Sequence, residues 1–550
     1  MTEKPIARAE WLTALICCAA TSVAAVIWSW RNEAMLNYGD AVAHLHIARR
    51  IFDCHQPRLT QLGSVWLPLP HLLLIPFVQV YSWWAIGFAG VIPSALAYMA
   101  ACAGIYRLAR RWMQPAAAAL ALAFFAINPN LLYLQTTAMT EPLFLCEMIW
   151  IAVWMVEWRA NLGAYPAQAR RLQGWIAAAL IAAILTRYDG WVVALIAWTG
   201  IGLALARRGG LRPRAFWLAS ALVVAAPVAW FAYNRLAFHD WLFFMRGPYS
   251  AKAIEMRTAT PGFPPHPGWH NPWVSLLFFM KAAELGAAAV AWGNKLLVLS
   301  LLGTAGAWLA ARRRTFSWVL LLWLPVPFYA YSVAYGSVPI FLPPWWPHSW
   351  YNLRYGMELL PALALGVGFA CQFAVSTVAW FKPSWSKVAV GLLAALVAVN
   401  AGIMVRERPL VYVEGTKNIA ARRPFDLEIP PALRALLAER PGSVILMETS
   451  VYPELVALTG IPLRQTINEA DEQVFRDALT APAAHAAIVL AFDGDEIDQA
   501  VKTHPDGLRA VRRFAAPGQA SGTLYVSDSP VSLSLNIGPR TVVASGKAFE

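Results

Sequence analysis

From residue 10 to residue 405 the chain is a succession of apolar stretches separated by short basic or longer mixed segments. A hydrocarbon core of about 30 Å needs roughly 20 apolar residues as helix. On that measure, spans are predicted near 10–30, 86–108, 115–134, 140–158, 173–187, 189–206, 215–235, 288–310, 316–334, 356–378 and 387–405, eleven in all. The apolar stretch from Trp66 to Pro76 is broken by Pro68 and Pro70, so it predicts a juxtamembrane helix at the outer surface instead of a span. Beyond residue 405 the pattern changes. Apolar runs at 443–447 and 486–491 suit buried strands, with helices expected at 453–458, 469–479 and 493–501 and later strands at 511–514 and 523–526. The predicted fold class is therefore an α-helical polytopic membrane protein over 1–405, followed by a small soluble α/β domain over 406–550.

Charge sharpens that division. Residues 1–405 hold 29 Lys+Arg and 13 Asp+Glu, whereas residues 406–550 hold 15 and 18. With 59% hydrophobic and 14% charged residues overall, the chain is neither disordered nor a single soluble globule. The net charge of +13 does not point to nucleic acid, because the basic residues sit in short clusters between apolar stretches. Lys4 and Arg8, Arg107–Arg111, Arg159–Arg171, Arg207–Arg214, Arg312–Arg314 and Lys382–Lys387 hold 17 of those 29. By the positive-inside rule these segments face the cytoplasm. The N-terminus is then inside a cytoplasmic (inner) membrane, and eleven spans put the C-terminal domain outside. The run 11–30 follows Lys4 and Arg8 without an obvious cleavage site, so it reads as an uncleaved first helix. Six cysteines show neither a disulfide framework nor zinc spacing.

Acids are scarce in the membrane part, and three of them fall at its outer face from separate parts of the chain: Asp40, Glu141 and Asp189. Arg187 and Arg354 belong to the same side. Ionisable groups at membrane depth are costly and usually functional, so a shared outer cavity is expected. Asp40 and His44 are four apart on an amphipathic helix and share a face. Asp40 either caps that helix or acts in the cavity. Glu141, beside Pro142 at a helix start, either favours the helix dipole or faces the same cavity. Thr186–Arg187–Tyr188–Asp189–Gly190 interrupts two apolar helices, where Arg187 either pairs with Asp189 or serves a ligand.

The order of Gly39–Asp40, Trp66–Leu67–Pro68–Leu69–Pro70–His71, Asn128–Pro129–Asn130, Thr140–Glu141–Pro142, Arg187–Tyr188–Asp189–Gly190 and Arg354–Tyr355–Gly356 resembles the GT-C superfamily of membrane glycosyltransferases. The likeness is to its polyprenyl-phosphate-dependent branch, which includes protein O-mannosyltransferases and the aminoarabinose transferase of lipid A. It covers roughly 10–405, with one departure: Ala41 stands where an adjacent second acid would give a metal-binding pair. The resemblance implies catalytic roles for Asp40 and Glu141 and a substrate site around Arg187, Asp189, Arg354, His44, Tyr188 and Tyr355. It implies an inverting transfer from a polyprenyl-phosphate-linked sugar to an acceptor at the outer face, among membrane lipids. Mg²⁺ or Mn²⁺ on Asp40, Glu141 and His44 is one option and metal independence the other, which the missing acid pair favours. Two rival classes remain: a lipid or sugar transporter or flippase, and a non-catalytic scaffold for an envelope complex.

Overall fold

The computed structural model describes residues 6–208, 214–258, 264–311 and 313–528. Lys4, Arg212 and Arg312, three of the basic residues behind the expected topology, lie outside them. Contacts divide the described residues into two units, one of 6–49 with those of 62–420 and one of 50–61 with 421–528.

The first unit is helical. Among the described residues seven stretches are long and apolar enough to cross a membrane: Arg8–Arg31, Phe88–Arg110, Asp189–Ala206, Arg214–Phe238, Ser317–Tyr335, Leu353–Phe381 and Pro383–Ala420. Helices also stand at the other four expected spans, but each falls short of that measure. Pro115–Ala126 stops before the helix-breaking Asn128–Pro129, and Glu141–Asn161 carries Glu141, Glu147, Glu157 and Arg159. Pro166–Thr186 contains Arg170 and Arg171, while Gly293–Ala310 opens on Asn294–Lys295. The expected juxtamembrane helix is present as Leu69–Val78. A further helix, Pro272–Ala287, stands between the spans expected at 215–235 and 288–310, where no element was expected. Asn271 caps it by accepting from the Val274 N–H (3.2 Å), and Pro272 suits the first turn, where no intrahelical donor is needed.

Close helix contacts in this unit rely on small residues. A Cβ at Gly303 would strike the Gly366 carbonyl, and one at Gly356 would strike the backbone of Ala282 and Ala283. Without a hydrophobic drive between helices in lipid, such backbone approach supplies much of the packing. The Gly356 contact seats the segment Leu353–Leu359 directly on helix Pro272–Ala287.

The second unit holds a five-stranded sheet: β1 Ile445–Met447, β2 Thr466–Ile467, β3 Ile488–Phe492, β4 Leu508–Phe514 and β5 Gly522–Ser527. Their order is β2-β1-β3-β5-β4, with β1 parallel to β2 and β3 and the β3–β5 and β5–β4 pairs antiparallel. Leu446, Val489 and Ile467 from the strands pack with Phe475, Ile497 and Val501 from the helices in one core. The four strands read from the sequence are present. The two-residue β2 and the helix Arg423–Glu439 stand where no element was expected.

The expected boundary at 405 moves in two places. Helix Leu410–Ala420 belongs to the membrane unit, because Val411, Glu414 and Gly415 occupy one face of it and are all buried. Segment Arg50–Gln61 belongs to the α/β unit, where Gln61 donates to the Ala470 carbonyl (3.1 Å) and Arg58 pairs with Glu472 (2.9 Å).

Candidate active site

Two helix starts, a helix break and a 3-10 turn converge in the membrane unit. Asp40 lies in the first turn of helix Gly39–Arg50, and Glu141 opens helix Glu141–Asn161. Arg187 and Tyr188 form the break between helices Pro166–Thr186 and Asp189–Ala206. Gly190 lets that break close, since a Cβ there would meet the backbone of Ala183 and Ile184. Arg354 and Tyr355 sit in the 3-10 turn Leu353–Leu359.

Arg354 is the hub. Its Nη2 donates to Asp40 Oδ2 (2.5 Å), its Nε to Glu141 Oε1 (3.1 Å) and its Nη1 to Glu414 Oε1 (3.2 Å). Glu414 is fixed in turn by the Leu353 N–H, which donates to its Oε2 (2.9 Å). A guanidinium can do this because its donors fan out in one plane. The side chains of Glu141 and Glu414 are each 1% exposed, whereas that of Asp40 is 42% exposed. Asp40 is thus the open member of a buried network.

Arg187 forms the second half. Its Nη2 reaches the Tyr329 hydroxyl (2.8 Å) and Glu358 Oε1 (2.9 Å), and its Nη1 donates to Thr140 Oγ1 (3.0 Å). It also pairs with Asp189 (3.4 Å) and, more loosely, with the Glu141 oxygen that Arg354 holds (3.6 Å). The Tyr355 ring centre lies 5.2 Å from the Arg187 guanidinium and 5.0 Å from that of Arg354, so both cations contact one aromatic ring. Tyr329 stacks on Tyr355 with centroids 5.2 Å apart. Two guanidinium groups therefore meet five carboxylates: Asp40, Glu141, Asp189, Glu358 and Glu414.

Of the eight site residues read from the sequence, six come together here: Asp40, Glu141, Arg187, Asp189, Arg354 and Tyr355. His44 and Tyr188 turn elsewhere. His44 Nδ1 lies 2.8 Å from His71 Nε2, and its ring packs on Trp66. Burial pushes its imidazole down to about 4 against the pull of Asp40, so it is neutral near pH 7. Tyr188 donates to the Val65 carbonyl (3.0 Å) and stacks on Phe244. Among the described residues no group of three or more His, Cys, Asp and Glu side chains is arranged to hold a metal ion.

Glu414, Glu358, Tyr329 and Thr140 join the network without having been expected there. Glu414 falls beyond the last expected span, in the stretch expected to belong to the soluble domain. The signal for it was local: the 411, 414, 415 spacing of a buried helix face, at a site where an acid needs a partner. The Asn128–Pro129–Asn130 motif supplies the anchor. Asn128 and Asn130 both donate to the Gly286 carbonyl (2.9 and 3.0 Å), and Asn130 Oδ1 accepts from the Val411 N–H (2.9 Å). Tyr38 adds a bond from its hydroxyl to the Val411 carbonyl (2.7 Å). The start of helix Leu410–Ala420 is thereby pinned, and Glu414 is delivered to Arg354 one turn later.

The protein is a multi-pass integral membrane protein that also contains an α/β unit, and it shares its fold with solved membrane-protein structures. The solved structures it is similar to include ArnT from Cupriavidus metallidurans bound to undecaprenyl phosphate, at 14% identity and a TM-score of 0.55, covering 97% of this chain and 100% of that one. The apo state of the same ArnT matches at 15% identity and a TM-score of 0.50, covering 92% and 98%. No protein-family model matches the chain, and no curated protein matches it.

Proposed function

We propose that the protein transfers a sugar from a polyprenyl-phosphate carrier to an acceptor hydroxyl at the outer face of the cytoplasmic membrane, with inversion at the anomeric carbon. The observation that carries this reading is the half-open Asp40 carboxylate held by a buried Arg354 beside a second arginine. In this scheme Asp40 takes the acceptor proton as the acceptor oxygen attacks the anomeric carbon. The bond from that carbon to the phosphate oxygen breaks, and polyprenyl phosphate leaves with its electron pair. One displacement inverts the centre. Glu141 and Glu414 hold Arg354 in place, and the remaining donors of Arg354 and Arg187 attract the carrier phosphate as charge builds on it. Likeness to an ArnT bound to undecaprenyl phosphate supports the carrier class at the level of fold. His44 and Tyr188 shape the site's wall instead of touching the reacting atoms.

The reaction in this scheme needs no divalent ion, because Asp40 and Glu141 are spent on Arg354 and His44 on His71. Turnover of purified protein should survive chelation unchanged. Abolition by a chelator, with recovery on adding Mg²⁺ or Mn²⁺, would overturn that part. The sidedness has its own test. Right-side-out vesicles should transfer sugar to an impermeant acceptor, and a reporter fused after residue 550 should be active only outside. Transfer confined to inverted vesicles would reverse the topology.

A further inference from the structure

Arg187 is fastened at both ends to one neighbouring helix. At its tip, Nη1 donates to Oγ1 of Thr140 (3.0 Å), the residue that precedes helix Glu141–Asn161. At its root stands Thr186, the last residue of helix Pro166–Thr186, whose hydroxyl donates to Glu147 Oε1 (2.8 Å). Thr140 and Glu147 are seven residues apart. They therefore lie within about 20° of each other around the helix and roughly 10 Å apart along it. One helix face sets both where the break begins and where its guanidinium ends.

Glu147 is a costly residue to place there. It is 7% exposed, and its Oε2 is buried and receives no hydrogen bond from the described residues. Its partner Thr186 also closes the carbonyl end of a helix, where the dipole disfavours an acid. Ionisable groups in such surroundings are rare unless they act. What Glu147 adds is the tie between two helices. Thr186 does not need it to finish its own helix, because the Ala182 carbonyl lies 2.9 Å from the same hydroxyl. Removing Glu147 therefore leaves the helix end satisfied and frees the root of Arg187.

We propose that Glu147 is a positioning residue for Arg187: by holding Thr186 it sets the guanidinium at the distance where it meets the carrier phosphate. This rests on the reading above, in which Arg187 attracts that phosphate. Glu147 acts as a hydrogen-bond acceptor in this role and needs no negative charge.

The test is equilibrium binding of polyprenyl phosphate to the full-length protein in detergent, with thermal unfolding of the same samples. Glu147→Met should weaken binding about tenfold, the weight of one lost hydrogen bond. Glu147→Gln, whose amide oxygen still accepts from Thr186, should recover binding to within about twofold. Thr186→Val removes the same bond from the other side and should match Glu147→Met; it decides the matter if the Met variant fails to fold. In an Arg187→Met background, Glu147→Met should cause no further loss of binding, whatever it does to the melting temperature. An equal loss in both backgrounds would show that Glu147 does not act through Arg187. Glu147→Gln as weak as Glu147→Met, or full binding by Glu147→Met and Thr186→Val, would also overturn the inference. If the unsubstituted protein binds no polyprenyl phosphate, the carrier reading itself falls, and this inference with it.

Discussion

Asp40→Asn should lower the transfer rate by about 10²–10⁴-fold, the usual contribution of a positioned general base, while the protein folds and inserts normally. The substitution isolates one property. An amide oxygen can still accept the Arg354 Nη2 bond that the carboxylate now accepts at 2.5 Å, so the network stays closed. The amide cannot take up the acceptor's proton. Asp40 is also the open acid of the network, its side chain 42% exposed while Glu141 and Glu414 are at 1%. No buried neighbour is placed to substitute for it. Steady-state transfer alongside thermal unfolding of the same preparation checks this. Turnover within a few fold of the unsubstituted protein would reduce Asp40 to an anchoring residue for Arg354.

Arg354→Met should destabilise the membrane unit by about 3–5 kcal/mol, the cost of leaving a buried ionic partner unpaired. Methionine fills a similar length and removes all three bonds to Asp40, Glu141 and Glu414. Asp40 can turn to water, but Glu141 and Glu414 cannot. The double variant Arg354→Met, Glu414→Gln should recover part of the loss, because it removes one stranded charge. Arg354→Lys should be intermediate in stability yet poor in turnover, since a single ammonium cannot serve three carboxylates in a fixed plane. Thermal unfolding in detergent reads all three. If Arg354→Met melts with the unsubstituted protein, the three-carboxylate hub does not hold the site together.

Much of the architecture was legible in the sequence because membrane spans are written in simple length and apolarity. The elements that escaped were those whose role depends on a partner far along the chain. Helix Pro272–Ala287 lies between two expected spans and helix Leu410–Ala420 in charged surroundings, and neither was expected. Six of the eight proposed site residues meet because charged groups in an apolar environment must find one another. His44 shows how far the spacing rule reaches. It does share a helix with Asp40, but His71, 27 residues on, offers it a closer partner at 2.8 Å. Helical spacing reports which residues share a face, not which neighbour that face meets. Glu358 illustrates the same limit. It follows Arg354 by four residues, yet in this tight turn it pairs with Arg187 at 2.9 Å.

The most direct measurement is the stoichiometry of a single turnover in proteoliposomes that contain this chain as their sole protein and a polyprenyl-phosphate sugar labelled in both sugar and lipid. The account expects one polyprenyl phosphate released for each sugar joined to acceptor, and neither product from the Asp40→Asn protein. Labelled donor that crosses the bilayer intact, or stays whole with every acceptor tried while the protein remains folded, would contradict it.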